Sequence, residues 1–550
     1  MSETAASSSR LARASAVMAI GIALSRISGL LRISAVVAVI GVAENRLADA
    51  YNLANAAPNI IYELVLGGIL ASIVVPVMVE LTKDDPDRAW DVASGLINVA
   101  MLLLAGVTLI GVLAAPWLAG FYATRLEGVE AVAQREVVSM LLILLLPQIV
   151  FYGLSGITGG LLNAHRRFAA PAFAPVINNL VVTLIFVALH QTYDQVGMNA
   201  SDQQLIIIGV GTTLGVVLMS VAQLPFLRGL GRFRLTLSVP SAVLKKVLHL
   251  SGFIFAFVLV SQLGYLFTQW LANGEQGGYS AFVAGYMFFL VPVSLVGYSV
   301  TTVLLPDLSA HALDERWADF RARLSVGIRL TLFLLVPAAV GFLVLGRRVI
   351  GVLLLNGVVT IESVSLVWEV LAFFVLGLPQ TAIFSIFVRT FYAMQNAKTP
   401  FYIVTGIVIL SAAINIPLFA WLGVGGLALG QSIAYSVAIV VAGRALSARV
   451  GGIDAEGTVR CLARAVPAAL LMGAVLWTVV LVLENWLQSA SPTTGLLVLV
   501  FLAALGMVTY LAFSRLLGAQ EVVYVSRLVR DRTPTGRRTG DDNSSHLDER

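Results

Sequence analysis

Two arginines, Arg26 and Arg32, stand inside "ALSRISGLLRISAVV" (residues 23–37), a stretch that is otherwise almost wholly apolar. A guanidinium cannot be neutralised in a protein and presents its five N–H donors as a planar fork. Two such forks suit an oxyanion with several acceptors, above all phosphate or pyrophosphate. On a helix, residues six positions apart are separated by about 120° around the axis and roughly 9 Å along it, so the pair fits a wide cavity but not one narrow stripe. Ser28 and Gly29 between them favour a bend. The plainer reading is an ion pair that ties two helices together. Glu63 in the middle of the second apolar run is one partner for it, and Asp49 lies nearer the start of that run. Two arginines against one mid-span glutamate still leave positive charge in excess.

The surrounding elements follow from composition. With 58% hydrophobic residues, 12% charged residues and a mean hydropathy of +0.91, the chain is too apolar for an ordinary globular protein. It reads as an all-α polytopic membrane protein. Each pass needs roughly 20 mainly apolar residues, and about 14 such runs are present. A charge at that depth costs on the order of several kcal/mol, so the two arginines are expected to face the bundle interior or a watery cavity. The first run is too long and too charged for a cleaved signal peptide and lacks a small-residue cleavage site. Cys461 is the single cysteine, which leaves no internal disulfide and no cysteine-rich metal site.

Orientation follows from the basic residues, because Lys and Arg resist translocation. Arg46, Arg125, Arg135, Arg347 and Arg348 are the five that fall between runs on one side, against 28 Lys and Arg on the side holding both termini. Both termini are therefore predicted to be cytoplasmic, and the net charge of +5 belongs to that face. It suits anionic membrane lipids as partners and gives no argument for nucleic acid.

The chain also repeats itself. "LPQIVFYGLSGITGGLLNAHRRFAAPAF" (146–173) matches "LPQTAIFSIFVRTFYAMQNAKTPFY" (378–402), and "GGILASIVVP" ending at Pro76 matches "GYSVTTVLLP" ending at Pro306. Both pairs give an offset of about 230 residues, which spans six runs. An even number keeps the halves in the same orientation, the layout of a parallel-repeat transporter with a central site between lobes. The expected organisation is an N-lobe over residues 1–230 and a basic linker over 231–246. A C-lobe over 247–450, two additional helices over 451–515 and a polar tail over 516–550 follow.

At "SRISGLLR", "ADAYNLANAAPNII", "LNAHRRFAAPAFAPVINN" and "FYAMQNAKTP", in this order and on the matching helices, the chain resembles the MurJ/MviN family of lipid II flippases, with an actinobacterial flavour. The family lies within a larger group of multidrug, oligosaccharidyl-lipid and polysaccharide exporters. The resemblance implies export of the undecaprenyl-pyrophosphate-linked peptidoglycan precursor by alternating access across the cytoplasmic membrane, with cell-wall synthesis proteins as further partners. It also implies that Arg26 and Arg32 contact the headgroup and that Asp49 is the acidic residue of a characteristic Asp-Ala pair. Better-studied relatives carry further arginines where this chain has Tyr62 and Tyr286, so the cavity here is less basic. The candidate substrate-contacting set is Arg26, Ser28, Arg32, Asp49, Tyr62, Glu63 and Tyr286.

Coupling to sodium is not supported by carboxylates in spans seven, eleven or twelve. The nearest polar residue, Asn415, precedes Pro417 as a kink residue would. The five histidines are scattered, so no metal site or catalytic triad is expected, and no cofactor. No glycine-rich phosphate loop follows a strand. Two other readings stay open: an exporter of another polyprenyl-pyrophosphate glycan or of drugs, and a membrane scaffold for cell-wall assembly that transports nothing. The tail "RDRTPTGRRTGDDNSSHLDER" has the composition of a disordered segment.

Overall fold

The computed structural model describes residues 2–65, 86–165, 167–193, 196–230, 233–237, 241–483 and 492–522. Among them all regular structure is helical. A chain this apolar, placed in hydrocarbon, has to satisfy each backbone N–H and C=O within its own segment, and a helix does so. The helices are α1 (Ser2–Ile40), α2 (Leu47–Val65), α3 (Pro86–Ala123), α4 (Gly128–Leu145), α5 (Gln148–Ala164), α6 (Ala169–Thr192) and α7 (Asp202–Val221). They continue as α8 (Ser241–Ala272), α9 (Gly278–Leu313), α10 (Trp317–Leu354), α11 (Ile361–Leu376), α12 (Leu378–Ala393), α13 (Lys398–Val450), α14 (Ala455–Val482) and α15 (Pro492–Leu516).

Eleven segments are long and apolar enough to cross a membrane, or twelve if α11 and α12, bent by 51° at their junction, form one broken span. The 53 residues of α13 would measure about 80 Å as one straight helix, far beyond a hydrocarbon core of about 30 Å. Its backbone breaks at Gly423, where φ is 56°, which divides α13 into two helical segments, each long enough for one pass. The break falls there and not at Pro417, which remains inside the helix. Of the fourteen runs read from the sequence, the second (residues 50–80) begins in α2 and lies outside the described residues beyond Val65.

Both copies of the Leu-Pro-Gln triplet fall at helix breaks: α4 ends just before Leu146 and Pro147, and α12 begins at Leu378 after Gly377. The second repeat pair includes Gly67 and Pro76, which lie outside the described residues. So do part of the basic linker and the tail from residue 523.

Contacts divide the chain into two compact units. The first comprises Met1–Val291, Arg347–Gln380 and Gln395–Ala442. Here α1 packs chiefly on α6. Small residues make this possible, because a Cβ at Gly21 would lie 2.7 Å from that of Ala172. Asn179 on α6 donates its side-chain N–H to Ser28 Oγ (3.0 Å) and to the Ser25 carbonyl (3.1 Å). This packed face explains why the bend expected at Ser28 and Gly29 is missing: α1 runs unbroken from Ser2 to Ile40. The second unit comprises Pro292–Gly346, Thr381–Met394 and Gly443–Arg550. In it α14 packs on α15, and Tyr510 of α15 donates to the Phe333 carbonyl of α10 (2.7 Å) with the two rings 5.1 Å apart.

Candidate functional site

All seven candidate residues belong to the first unit. Arg26 and Arg32 are both partly exposed, and among the described residues neither has an ion-pair partner. Their separation around α1 puts them against different walls. Tyr286 on α9 lies within electrostatic reach of Arg26 and of the half-buried Tyr265 and Tyr435. Tyr286 stands in an aromatic cluster, with Phe374 at 5.5 Å and Phe289 at 5.8 Å between ring centroids. Arg32 lies within electrostatic reach of Tyr152 on α5, whose hydroxyl bonds Asn59 and whose ring is 5.0 Å from that of Tyr62. Tyr286 thus stands near Arg26, and Tyr62 packs on the tyrosine that stands near Arg32. The arrangement offers two uncompensated cations and several hydroxyls, which is what a multiply charged oxyanion needs.

Glu63 does not join this group as a counter-ion. It is exposed, and among the described residues no ion pair links it to either arginine. Neighbouring residues on a helix point about 100° apart, so Tyr62, once packed on Tyr152, turns Glu63 away from Arg32. Ser28 is also committed elsewhere, in the buried contact with Asn179.

Asp49 is fully buried and acts at the arginine-poor end of the helices. Its carboxylate accepts from the Gly277 N–H (2.7 Å), the Ser280 N–H (2.9 Å) and the Ser280 hydroxyl (2.8 Å). These N–H groups belong to the start of α9, where a helix leaves its first donors unsatisfied and carries partial positive charge. Asp49 on α2 is therefore a cap supplied by another helix. Glu44 does the same for α11, accepting from the Thr360 N–H (2.7 Å), the Thr360 hydroxyl (2.9 Å) and the Ser363 hydroxyl (2.7 Å). Its second oxygen holds the turn after α1 through the Val42 and Ala43 N–H groups.

Two glycines let the chains come this close. Gly277 and Gly357 have φ of 73° and 60°, in the left-handed region, and a Cβ would run into Ala43 at the first and the Ala38 backbone at the second. A buried polar chain completes this end: Gln134 donates to Asn273, Asn273 to the Tyr122 carbonyl, Tyr122 to Gln269 and Gln269 to Tyr279. Together these hydrogen bonds tie the α1–α4 region to the starts of α9 and α11 as a polar seal.

Glu44 gives the seal a pH dependence with a definite sign. Burial by itself would raise its carboxyl, but the Ser363 hydroxyl and the Val42 and Thr360 N–H groups favour the charged form and hold it below the ordinary 4.5. Its stabilisation is complete above 4.5 and is lost as the pH falls through the lower value of the folded protein. Acidification from about pH 6 to about pH 3 is expected to lower the unfolding temperature of the wild type more than that of Glu44→Gln. Equal slopes for the two proteins would remove Glu44 from the seal's energetics.

Sequence reasoning missed Tyr152 near Arg32, its partner Asn59, and Tyr435 near Tyr286, and it missed Glu44, Ser280, Thr360 and Ser363 in the seal. A hydroxyl-bearing aromatic in the middle of an apolar run was the available signal for the tyrosines. For Glu44 it was a lone carboxylate in the short turn between two runs.

Comparison with known proteins agrees over most of the chain. Residues 37–497 match the profile of the family described as lipid II flippase MurJ. A probable lipid II flippase MurJ from Vibrio cholerae is 29% identical over 531 residues, covering 93% of this chain and 97% of that protein. The lipid II flippase MurJ of Burkholderia cenocepacia is 28% identical over 415 residues, 74% of this chain and 78% of its own. A solved structure of lipid II flippase MurJ in an inward closed conformation superposes with a TM-score of 0.72 at 22% identity, covering 93% of this chain and 99% of the other. An inward-facing multidrug transporter of the MATE family shares the fold at a TM-score of 0.63 and 12% identity, covering 79% of this chain and 98% of its own.

Proposed function

Because the chain belongs to the MurJ lipid II flippase family, we propose that Arg26 and Arg32 hold the pyrophosphate of lipid II while the headgroup is carried from the inner to the outer leaflet. As a member of that family the chain is a transporter and not an enzyme. The observation that carries the assignment is the pair of partly exposed arginines with no ion-pair partner among the described residues, each beside a hydroxyl-bearing aromatic wall. A charge-assisted fork to phosphate offsets the cost of keeping a guanidinium at membrane depth. Tyr62 and Tyr286 then serve as neutral donors where relatives use charge.

In this reading the protein resides in the cytoplasmic membrane with both termini inside, since the basic residues gather on that face. The arginine-poor end faces outward, and the Asp49 and Glu44 caps close it. Transport then proceeds as two six-helix lobes, residues 1–230 and 247–450, rock about the central site, with α14 and α15 appended. Anionic lipids and cell-wall synthesis proteins are the expected partners beyond the substrate. The MATE-like neighbours share the fold, but a cavity for cationic drugs calls for acidic lining, whereas the excess here is basic.

The deciding experiment is movement of lipid II in vesicles containing the purified protein, with an unrelated polyprenyl-pyrophosphate glycan alongside. Lipid II crosses and the other glycolipid does not if the assignment holds; equal movement of both rejects the specificity. The same vesicles test the driving force. A headgroup with roughly two negative charges moving outward through an inside-negative potential releases up to about 4.6 kcal/mol per 100 mV. Return of the empty arginines through part of that field makes the net gain smaller. Flipping is expected to persist with choline in place of sodium at a clamped potential. Loss of activity without sodium would instead identify ion coupling.

A further inference from the structure

A second basic site lies in the second unit, far along the chain from Arg26 and Arg32. One face of α10 carries Arg321, Ser325 and Arg329 at four-residue spacing, and opposite them run Gly451, Gly452 and Asp454 in the connection from α13 to α14. Together they line an open cleft of about 540 Å³, within the usual range for a small ligand. The geometry points to a cradle for a phosphate-bearing anion, and we propose that its occupant is the phosphodiester headgroup of an anionic phospholipid.

The two guanidiniums are held in place by their own partners. Arg321 donates through Nη1 to the carbonyl of Val450, the last residue of α13 (2.6 Å), which leaves most of its five donors for a ligand. Arg329 lies 3.8 Å from Asp454, a long ion pair that fixes the side chain without saturating it. Asp454 does not cancel the site. Its oxygens already accept from the Gly457 N–H (2.7 Å), as the cap of α14, and from the Ser325 hydroxyl (2.9 Å). Beside Arg321 the backbone gives way: Gly451 and Gly452 have φ of 75° and 116°. A Cβ at 452 would meet nothing within 4 Å, whereas one at 451 would press on the Arg321 guanidinium.

The position selects a lipid over a soluble anion. The cavity lies where α10 and α14 begin and α13 ends, at the ends of three segments that are long and apolar enough to cross a membrane. In the orientation proposed above, on which this inference rests, this is the cytoplasmic, arginine-rich end, where anionic lipids concentrate and basic pockets between helices suit such headgroups. Just beyond Asp454, α14 exposes Val459, Leu470 and Trp477, a surface on which acyl chains can lie.

The test uses the full-length protein in mixed micelles, with bound lipid counted by native mass spectrometry. Dioleoylphosphatidylglycerol is titrated against dioleoylphosphatidylcholine, and sodium phosphate is the soluble competitor. The wild type is expected to hold phosphatidylglycerol in preference to phosphatidylcholine, and an Arg321→Gln, Arg329→Gln double variant to bind it about tenfold more weakly or worse. Ala322→Trp fills the cavity without removing charge and is expected to give the same loss, so the test survives if the double variant misfolds. Arg323→Gln is the control, because this neighbour pairs with Asp307 (3.5 Å) and does not line the cavity. Its affinity is expected to stay within about twofold of wild type, as for a lone surface charge. Unchanged binding in both the double variant and Ala322→Trp overturns the site, as does an equal loss in Arg323→Gln. Displacement of the lipid by an equal concentration of sodium phosphate overturns the lipid assignment in favour of a soluble anion.

Discussion

Changing Arg26 and Arg32 together to alanine is expected to abolish lipid II flipping while the protein still inserts and unfolds at a normal temperature. Hydrogen bonds between a charged group and its partner contribute about 1.5–3 kcal/mol each, so losing one guanidinium should slow transport by roughly ten- to a hundredfold and losing both by the product. Stability is expected to hold because neither side chain has an ion-pair partner among the described residues whose charge would be stranded. Arg→Lys retains charge but loses the planar fork, so partial recovery is the expected signature of phosphate recognition. The measurement is lipid II movement in vesicles, paired with a thermal melt of each variant. Normal export by a stable double variant would end the proposal. A variant that fails to fold would show that the arginines hold helices together, the plainer of the two readings of this motif.

The second large effect concerns the seal. Asp49→Ala removes three hydrogen bonds at once and leaves the Gly277 and Ser280 N–H groups buried without an acceptor. Each buried unsatisfied donor costs about 1–3 kcal/mol, and under the proposed alternating access only the sealed conformation bears that cost, because water would satisfy these groups in an open one. The ratio of sealed to open protein is expected to fall by roughly thirty- to a thousandfold, for a shift of about 2–4 kcal/mol. Gly277→Ala and Gly357→Ala should act in the same direction by a different route, since a methyl at either position strikes the chain around Ala43 or Ala38. Labelling of a cysteine placed at Ser280 by a membrane-impermeant thiol reagent reads the population directly. Faster labelling with Gly357→Ala supports the seal, and an unchanged rate would show that these contacts follow the closure without controlling it. Ser280 is lost in that reporter, so the wild-type background must carry the same cysteine.

Much of this protein was legible before any coordinates. Apolar runs of pass length require helices, because a lone segment in hydrocarbon has nothing else to bond its backbone. The sequence therefore determined the all-helical membrane class and the asymmetry of basic residues, and it singled out Arg26 and Arg32 as charges that are costly at membrane depth. The 120° between them was also readable, and it reappears as their facing Tyr286 and Tyr152 separately. Partnership was not readable. Glu63 looked like the counter-ion because it is the carboxylate nearest mid-span, yet rotation on α2 decides its direction, and the packing of Tyr62 on Tyr152 fixed that rotation. Ser28 and Gly29 carried the composition of a bend, but the same small residues also permit close packing, and contact with Asn179 took the second option. Asp49 and Glu44 stood out only as acidic residues near a turn. Their role as caps depends on the starts of α9 and α11, more than 200 residues away in the chain, arriving within hydrogen-bond distance. Local pattern sets which segments are helices and which side chains are costly; only the folded arrangement decides which donors those costly groups meet, because a hydrogen bond is satisfied over about 3 Å of space and not over any fixed span of sequence.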